Sequence, residues 1–157
     1  MMNEEMLRVA EFLESIELQY VSLADGSIIR VPFRSDLGAF DIYVQVQKDF
    51  MLKVSATPIL LVPEGSRIDV AVGVALANMG LNCGFFEINM DSGDLWYRFH
   101  IPLQDGFPSN VLLQLAIDAG RILINRYLPA FLSIIYGNEP AKDAVALVEN
   151  LVASKAE

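Results

Sequence analysis

Apolar and polar residues alternate through residues 85–101, and this alternation predicts a half-buried β-hairpin. The apolar positions are Phe86, Ile88, Met90, Leu95, Tyr97, Phe99 and Ile101. A turn with Ser92 and Gly93 at its tip would place Phe86 opposite Phe99 and Glu87 opposite Arg98. The polar and aromatic residues that share the second face of this hairpin are Glu87, Trp96, Arg98 and His100. If the protein contacts a partner through its sheet, we expect it to use this second face.

Two more hairpins precede this one in the sequence. Asp25-Gly26 is a strong turn signal, and it joins an apolar segment at 18–24 to another at 27–33, with Tyr20 facing Val31. Segments 40–47 and 51–56 also alternate, and a short loop around Lys48 and Asp49 would set Val46 opposite Leu52. The pattern therefore predicts an antiparallel sheet built from hairpins.

Four helices accompany the sheet. Asn3 caps the first helix, which should end near Ile16. A possible capping box at Ser66 and Asp69 precedes a central helix that extends to about Met79, where Gly80 is expected to be a left-handed stop.

The two C-terminal helices follow the last hairpin. Ser109 can cap a long helix that Pro129 should kink or divide and that Gly137 ends. Leu115 and Ile122 are among the residues expected on its buried side. Pro140 begins the final helix, which should reach about residue 153. Together these elements predict an α+β fold in one domain, residues 1–157, with an N-terminal helix, a central helix and C-terminal helices on an antiparallel sheet.

The central helix is apolar on every side, because residues 70–77 read VAVGVALA. A helix with one buried face would not need this pattern. Small residues one turn apart would let a second backbone approach closely, as in a helix pair across a two-fold axis. The alternative is a helix buried between the sheet and the C-terminal helices of its own chain. The dimer interpretation assigns the interface to Ile68, Val70, Ala71, Gly73, Val74 and Ala77.

Composition and charge narrow the class of partner. The chain of 157 residues carries a net charge of −9, and its eleven basic residues are scattered along the sequence. We therefore expect neither nucleic acid nor an anionic membrane as a partner. A single cysteine, Cys83, excludes an internal disulfide, and Glu4 and Glu5 stand where a signal peptide would be basic. We expect a cytoplasmic protein.

Candidate chemistry is sparse. Cys83 and His100 fall on one face of the predicted hairpin in a diagonal relation, so they could form a nucleophile and base. The simpler interpretation treats Cys83 as a small buried hydrophobe. No phosphate-binding, dinucleotide-binding, calcium or zinc motif occurs in the sequence. We therefore expect no catalytic residues, no metal and no cofactor. Trp96 and Arg98 are typical anchors of protein interfaces, unless the C-terminal helices cover their face.

The order of these elements, with a set of short motifs, resembles the YbjN-type family of bacterial sensory-transduction regulators. The residues that carry the resemblance are Val62-Pro63-Glu64, Asn78, Gly84-Phe85-Phe86, Gly93, Tyr97-Arg98, Tyr127-Leu128-Pro129, Gly137 and Pro140-Ala141. That family is similar in fold to type III secretion chaperones, which are α+β homodimers that hold an extended client. The resemblance implies a non-catalytic, chaperone-like or regulatory module that binds a protein or peptide as a homodimer. A Cys/His enzyme and a small-molecule-binding domain remain the alternatives.

Overall fold

The computed structural model describes residues 2–47 and 50–156. Four α-helices and six β-strands occur in these ranges. The helices are α1 (Glu4–Ser15), α2 (Arg67–Met79), α3 (Asn110–Tyr136) and α4 (Ala141–Ala156). The strands are β1 (Val21–Leu23), β2 (Ile28–Ser35), β3 (Gly38–Gln47), β4 (Met51–Leu61), β5 (Phe85–Ile88) and β6 (Asp94–Pro102).

All strand pairs are antiparallel, and the strand order is β1-β2-β3-β4-β6-β5. One hydrophobic core joins the helices to a single face of the sheet. Alternate residues of every central strand enter this core, because side chains of a strand point to opposite faces in turn. The predicted α+β fold class is confirmed.

The first two hairpins keep the predicted registers. Val21 pairs with Arg30, which is the expected register, although β1 is too short to include Tyr20. The central residues of its turn, Asp25 and Gly26, have φ values of 56° and 90°, the positive values that a two-residue hairpin turn requires. Val46 pairs with Leu52 as predicted. The expected loop at Lys48 and Asp49 lies outside the described residues.

The last hairpin differs from the prediction by two residues. Phe86 pairs with Tyr97 instead of Phe99, and Glu87 pairs with Trp96 instead of Arg98. The cause is Asn89, whose Oδ1 accepts hydrogen bonds from the backbone N–H groups of residues 91 and 92 at 2.9 and 3.1 Å. This Asx turn enlarges the loop and leaves Met90 45% exposed. Because the shift is even, the other side chains stay on their predicted faces.

Two helix caps are confirmed. Asn3 Oδ1 accepts from the backbone N–H of Met6 at 2.8 Å, and Ser109 Oγ accepts from the backbone N–H of Leu112 at 3.2 Å. Each bond satisfies a donor that the first turn of a helix leaves free. Both helices therefore begin where the sequence indicates.

Other helix predictions were wrong. The side chain of Ser66 makes no capping hydrogen bond, and Gly80 has a φ of −91°, so it is not a left-handed stop. Helix α3 continues through Pro129 without division. Leu115 and Ile122 are about half exposed, because the face that packs on the sheet is rotated toward residues 113, 117, 120 and 124.

None of the helices in the described part of the chain is long and apolar enough to cross a membrane.

Candidate functional site

The sheet has a second face, directed away from the helices, which we call the outer face. Strand register arranges it in three cross-strand rows. The middle row joins Arg30, Tyr43, Ser55, Arg98 and Phe85. The row on one side contains Ile28, Gln45, Lys53 and His100. The row on the other side consists of the pairs Pro32–Asp41 and Glu87–Trp96, between which β4 has an irregular register after Ala56. None of these side chains belongs to the hydrophobic core that the described residues form.

The four residues predicted to share a partner-facing surface lie together on the outer face. The guanidinium of Arg98 lies 4.2 Å from the centre of the Trp96 ring, a cation–π contact. Arg98 Nε is also 3.4 Å from Glu87 Oε2. The ring of His100 meets Phe85 edge to face at 5.5 Å between centroids. The alternative that C-terminal helices cover this face is wrong, since α3 and α4 pack on the opposite one.

Three buried donors on the outer face have no hydrogen-bond partner among the described residues. They are Arg30 Nε, Trp96 Nε1 and Arg98 Nε. The 3.4 Å ion pair of Arg98 with Glu87 is not aligned as a hydrogen bond, and Arg30 is paired with Asp41 only at 3.7 Å. A buried donor without an acceptor is costly, on the order of 1–3 kcal/mol. The outer face of the isolated chain therefore has buried hydrogen-bond donors without acceptors.

The fold also brings cations together. The sequence suggested that basic residues never cluster, yet the register sets Arg30, Lys53 and Arg98 in adjoining rows. Lys53 is only 9% exposed, and burial, followed by the charge of Arg98, lowers its pKa. Burial, then Lys53 and Arg98, also lowers the pKa of His100. Lys53 and His100 thus lie in a positive field that an approaching anion would relieve.

The structure separates the two residues of the hypothetical Cys/His site. Cys83 packs against the core, where it lies close enough to influence the hydroxyl of Tyr97. His100 lies on the outer face, and the charged groups that act on it are Lys53, Arg98 and Glu87. The predicted diagonal relation failed because Gly84, at a φ of 69°, turns the chain just before β5 begins. Cys83 and His100 therefore do not form a nucleophile and base.

The predicted dimer interface on α2 needs correction. Val70, Gly73, Val74 and Ala77 are buried within the chain, and a Cβ added to Gly73 would lie 2.8 Å from Ile134 of α3. The close backbone approach at Gly73 thus serves α3 of the same chain. Of the six proposed interface residues, Ile68 is 73% exposed and Ala71 is half-buried.

A different side of α2 remains exposed. Its residues follow a spacing of four, three and four, which places them on one stripe of the helix. This exposed stripe consists of Ile68, Val72, Ala75 and Met79. The apolar pattern on all sides therefore has two causes: an internal face against α3, α4 and β5, and an external apolar stripe.

Asn78 fills a role that the sequence did not predict. Its side chain donates from Nδ2 to the carbonyl of Phe86 at 3.0 Å and accepts from the N–H of Phe86 at 2.8 Å. The open backbone groups of Phe86 on the edge strand β5 are thus paired by a side chain. An Asn near the end of a helix gives no sequence signal for this pairing, which depends on where α2 ends beside β5.

Arg67 was also missed. It donates to the carbonyl of Val62 at 3.2 Å and to the carbonyls of residues 90, 91 and 92 at 3.0, 2.8 and 3.2 Å. The guanidinium fork therefore holds the tip of the last hairpin against the start of α2. The three carbonyls of the hairpin loop lie more than twenty residues away along the chain, so periodicity could not reveal them.

A cavity of about 340 Å³ opens between α2 and α4, lined by Leu76, Met79, Gly80, Lys142, Val145, Ala146 and Glu149. The hydroxyl of Tyr127 donates to Glu149 Oε1 at 2.8 Å nearby. Burial, followed by this bond, raises the pKa of Tyr127 to about 12. Within residues 2–47 and 50–156, no three His, Cys, Asp or Glu side chains approach as metal ligands would. The cavity offers a polar rim and no recognisable chemistry.

The fold class and the sequence converge on one family. The sequence model of the YbjN family, described as "Putative bacterial sensory transduction regulator", matches residues 7–133. The chain belongs to this family. Its description names a regulator and no enzymatic activity.

A solved structure shares the fold. The crystal structure of YbjN from E. coli, which its title calls "a putative transcription regulator", aligns with a TM-score of 0.58 at 12% sequence identity. The alignment covers 76% of this chain and 85% of that one. At this identity the likeness establishes the fold alone. No curated protein matches the sequence.

Proposed function

We propose that this protein is a non-catalytic regulatory module that binds a partner protein through the outer face of its sheet. The observation that carries the proposal is the group of unpartnered donors on Arg30, Trp96 and Arg98. A partner with hydrogen-bond acceptors would satisfy them and bury the Trp96–Arg98 pair. Trp and Arg are enriched among residues that dominate binding energy. The regulatory description of the family supports the same class.

A protein suits this face better than a nucleic acid does. Asp41 and Glu87 lie among the cations, so the outer face does not match a phosphate backbone, which carries a negative charge at every nucleotide. The net charge of −9 would further oppose the approach of a polyanion such as DNA. A folded or extended polypeptide can meet both signs of charge along one surface.

The proposed dimer now uses the exposed stripe of α2 instead of Gly73. Two copies of this exposed stripe, which consists of Ile68, Val72, Ala75 and Met79, can pack against each other across a two-fold axis. Both copies then contribute the same surface to the interface. Ala75 in the middle of the stripe allows the two helices to approach closely. The outer face would remain free in both copies, because α2 packs on the opposite side of the sheet.

Partner binding is tested by affinity capture from the native cell followed by binding measurements with the purified partner. Trp96→Ala should weaken that binding at least tenfold, which corresponds to loss of an interface anchor. Tyr136→Ala is the matched control, since Tyr136 is an exposed aromatic at the end of α3. Equal binding by wild type and Trp96→Ala would contradict the proposed site.

The dimer is tested by light scattering at micromolar concentration. Val72→Glu should produce a monomer that keeps its helical circular dichroism, whereas Val111→Glu, on the exposed side of α3, should leave the dimer intact. A wild-type monomer at this concentration would overturn the proposal. Gly73→Glu is not informative about a dimer, because its side chain would enter the packing against Ile134.

A further inference from the structure

Resting on the proposed function, we infer that the outer face takes an acidic, extended segment of its partner, with carboxylates seated on Arg30 and Arg98. The partner is thus defined by its chemistry: Asp or Glu residues on a chain that crosses the strands of the sheet. Three independent features of the outer face lead to this assignment.

The first feature is the kind of atom left unpaired. Arg30 Nε, Trp96 Nε1 and Arg98 Nε are all donors, and no unpartnered acceptor accompanies them among the buried side-chain atoms described. The remaining atom of this kind is the Tyr97 hydroxyl, which belongs to the core side. A complementary surface must therefore supply acceptors. Carboxylates give the strongest such bonds to guanidinium groups, because both partners are charged.

The second feature is the distribution of charge. The three rows of the outer face contain three basic residues, Arg30, Lys53 and Arg98, and two acidic residues, Asp41 and Glu87. The remaining sequence then has eight basic and eighteen acidic residues. The outer face is thus a local positive region on a strongly acidic protein. Charge complementarity therefore favours binding of an acidic partner at the outer face. The acidic remainder of the protein would repel the same partner.

The third feature is spacing. Arg30 and Arg98 occupy the same row on β2 and β6, three strand spacings apart, which corresponds to about 14 Å. An extended chain advances about 3.4 Å per residue, so it covers this distance in about four residues. Acidic residues at positions i and i+4 would therefore meet both guanidinium groups. Ser55, a small residue midway along the row, leaves room for the chain between Tyr43 and Arg98.

Protonation of His100 should be coupled to binding. His100 faces Lys53 from β4, Arg98 from its own strand, and Glu87 and the ring of Phe85 from β5. Burial and the two cations hold its pKa below the usual value, and a carboxylate seated beside them would raise it. The complex should therefore bind more tightly at about pH 6 than at about pH 8, where the imidazole is neutral.

The test uses a synthetic peptide with glutamates at i and i+4, separated by threonines, and a matched peptide with glutamine in their place. Trp96 is the one tryptophan in the sequence, so its fluorescence reports on this face. The glutamate peptide should saturate the signal, and the glutamine peptide should bind at least tenfold more weakly. Arg30→Ala and Arg98→Ala should each weaken the glutamate peptide about tenfold, consistent with loss of a charged hydrogen bond.

Control variants distinguish a specific carboxylate-binding site from non-specific electrostatic attraction. Arg121→Ala removes the same charge from an exposed position on α3, and it should leave peptide affinity unchanged. Trp96→Phe, followed with a labelled peptide, keeps the aromatic ring but removes the unpartnered donor, and it should weaken binding severalfold. Circular dichroism of each variant shows whether it is folded.

Several results would overturn the inference. These are no binding of the glutamate peptide, equal binding of the glutamine peptide, tighter binding of a phosphoserine peptide, or an equal loss in Arg121→Ala. If a captured partner depends on Trp96 while the acidic peptide does not bind, the proposed function stands and the acidic segment is wrong. If the captured partner binds Trp96→Ala as tightly as it binds the wild type, the assignment of the binding site to the outer face is wrong.

Discussion

Phe85 and Phe86 are adjacent residues of β5 that belong to the two different faces of the sheet. Phe86 is buried and meets Tyr97, Tyr127 and Phe131 edge to face at 5.3–5.6 Å between ring centroids. Phe85 is half-buried and contacts the ring of His100. The same side chain therefore stabilises the fold at one position and shapes an accessible surface at the next.

The two faces differ in how completely their groups are satisfied. The core face is lined by buried apolar residues, apart from the hydroxyl of Tyr97. The outer face holds three buried donors without partners and a lysine that is 91% removed from solvent. Residues optimised for folding alone would not leave this pattern, because each unpaired donor costs stability. The core face thus supplies the packing that stabilises the fold, and the proposed binding uses the outer face.

The largest expected effect is at the core face. Phe86→Ala should reduce the free energy of unfolding by about 3–5 kcal/mol, because it removes a ring at the centre of an aromatic cluster. Phe85→Ala is the matched variant and should cost about 1 kcal/mol or less. Urea denaturation of both proteins measures the difference. Similar losses in the two variants would remove the proposed division between the faces.

Gly84 sits at the junction of the two faces, just before β5. A Cβ at this position would collide with the hydroxyl of Tyr97, and the φ of 69° disfavours any L side chain. Gly84→Ala should therefore cost about 2–4 kcal/mol, from backbone strain together with overpacking. Gly106→Ala is the control, since Gly106 also has a positive φ but has no atom within 4 Å of the added Cβ. Its cost should be limited to about 1–2 kcal/mol of backbone strain.

Asn78 protects the edge where both faces end. Asn78→Ala should cost about 1–3 kcal/mol, because it removes two hydrogen bonds to the backbone of Phe86. Asn125→Ala, an exposed position on α3, is the control. Faster amide hydrogen exchange at Phe86 in Asn78→Ala would identify the released strand edge. Unchanged exchange at Phe86 would show that the side-chain pairing is unimportant.

The sequence predicted these faces better than it predicted contacts across them. Alternation assigned Phe86, Tyr97, Trp96 and Arg98 to the correct faces, because the period of two is a local property of a strand. It failed to predict the register of the last hairpin, which Asn89 decides through a loop that periodicity does not describe. The sequence thus gives orientation, whereas partners depend on turn geometry.

The same limit applies to the candidate site. Trp96, Arg98, Glu87 and His100 could be grouped from one hairpin, but Arg30 and Lys53 join them from strands far away in the sequence. Neither the cationic cluster nor the unpartnered donors can be found without the strand order β3-β4-β6. The apolar pattern of α2 was equally ambiguous, because an internal face and an exposed stripe produce the same apolar sequence.

The smallest expected effect on stability is at Lys53, on the outer face. Lys53→Met keeps the aliphatic stem between Gln45 and His100 and removes an ammonium group whose pKa is lowered by burial and Arg98. We expect the free energy of unfolding near neutral pH to change by no more than about 0.5 kcal/mol, with a gain if the charge is costly. Binding of the acidic peptide should nevertheless weaken severalfold, because Lys53 lies close to Arg98 on the outer face.

The difference in stability between the wild type and Lys53→Met should depend on pH. The pKa of Lys53 is lower in the folded chain than in the unfolded chain, so the folded state loses this proton first as pH rises. The free energy of unfolding of the wild type should therefore increase with pH up to the ordinary lysine pKa of 10.5. Lys53→Met should lack this contribution, and the difference between the two proteins should narrow or reverse as pH increases toward that value. If Lys53→Met is instead strongly destabilised at neutral pH, the ammonium supports the fold, and the outer face would contribute to stability as the core face does.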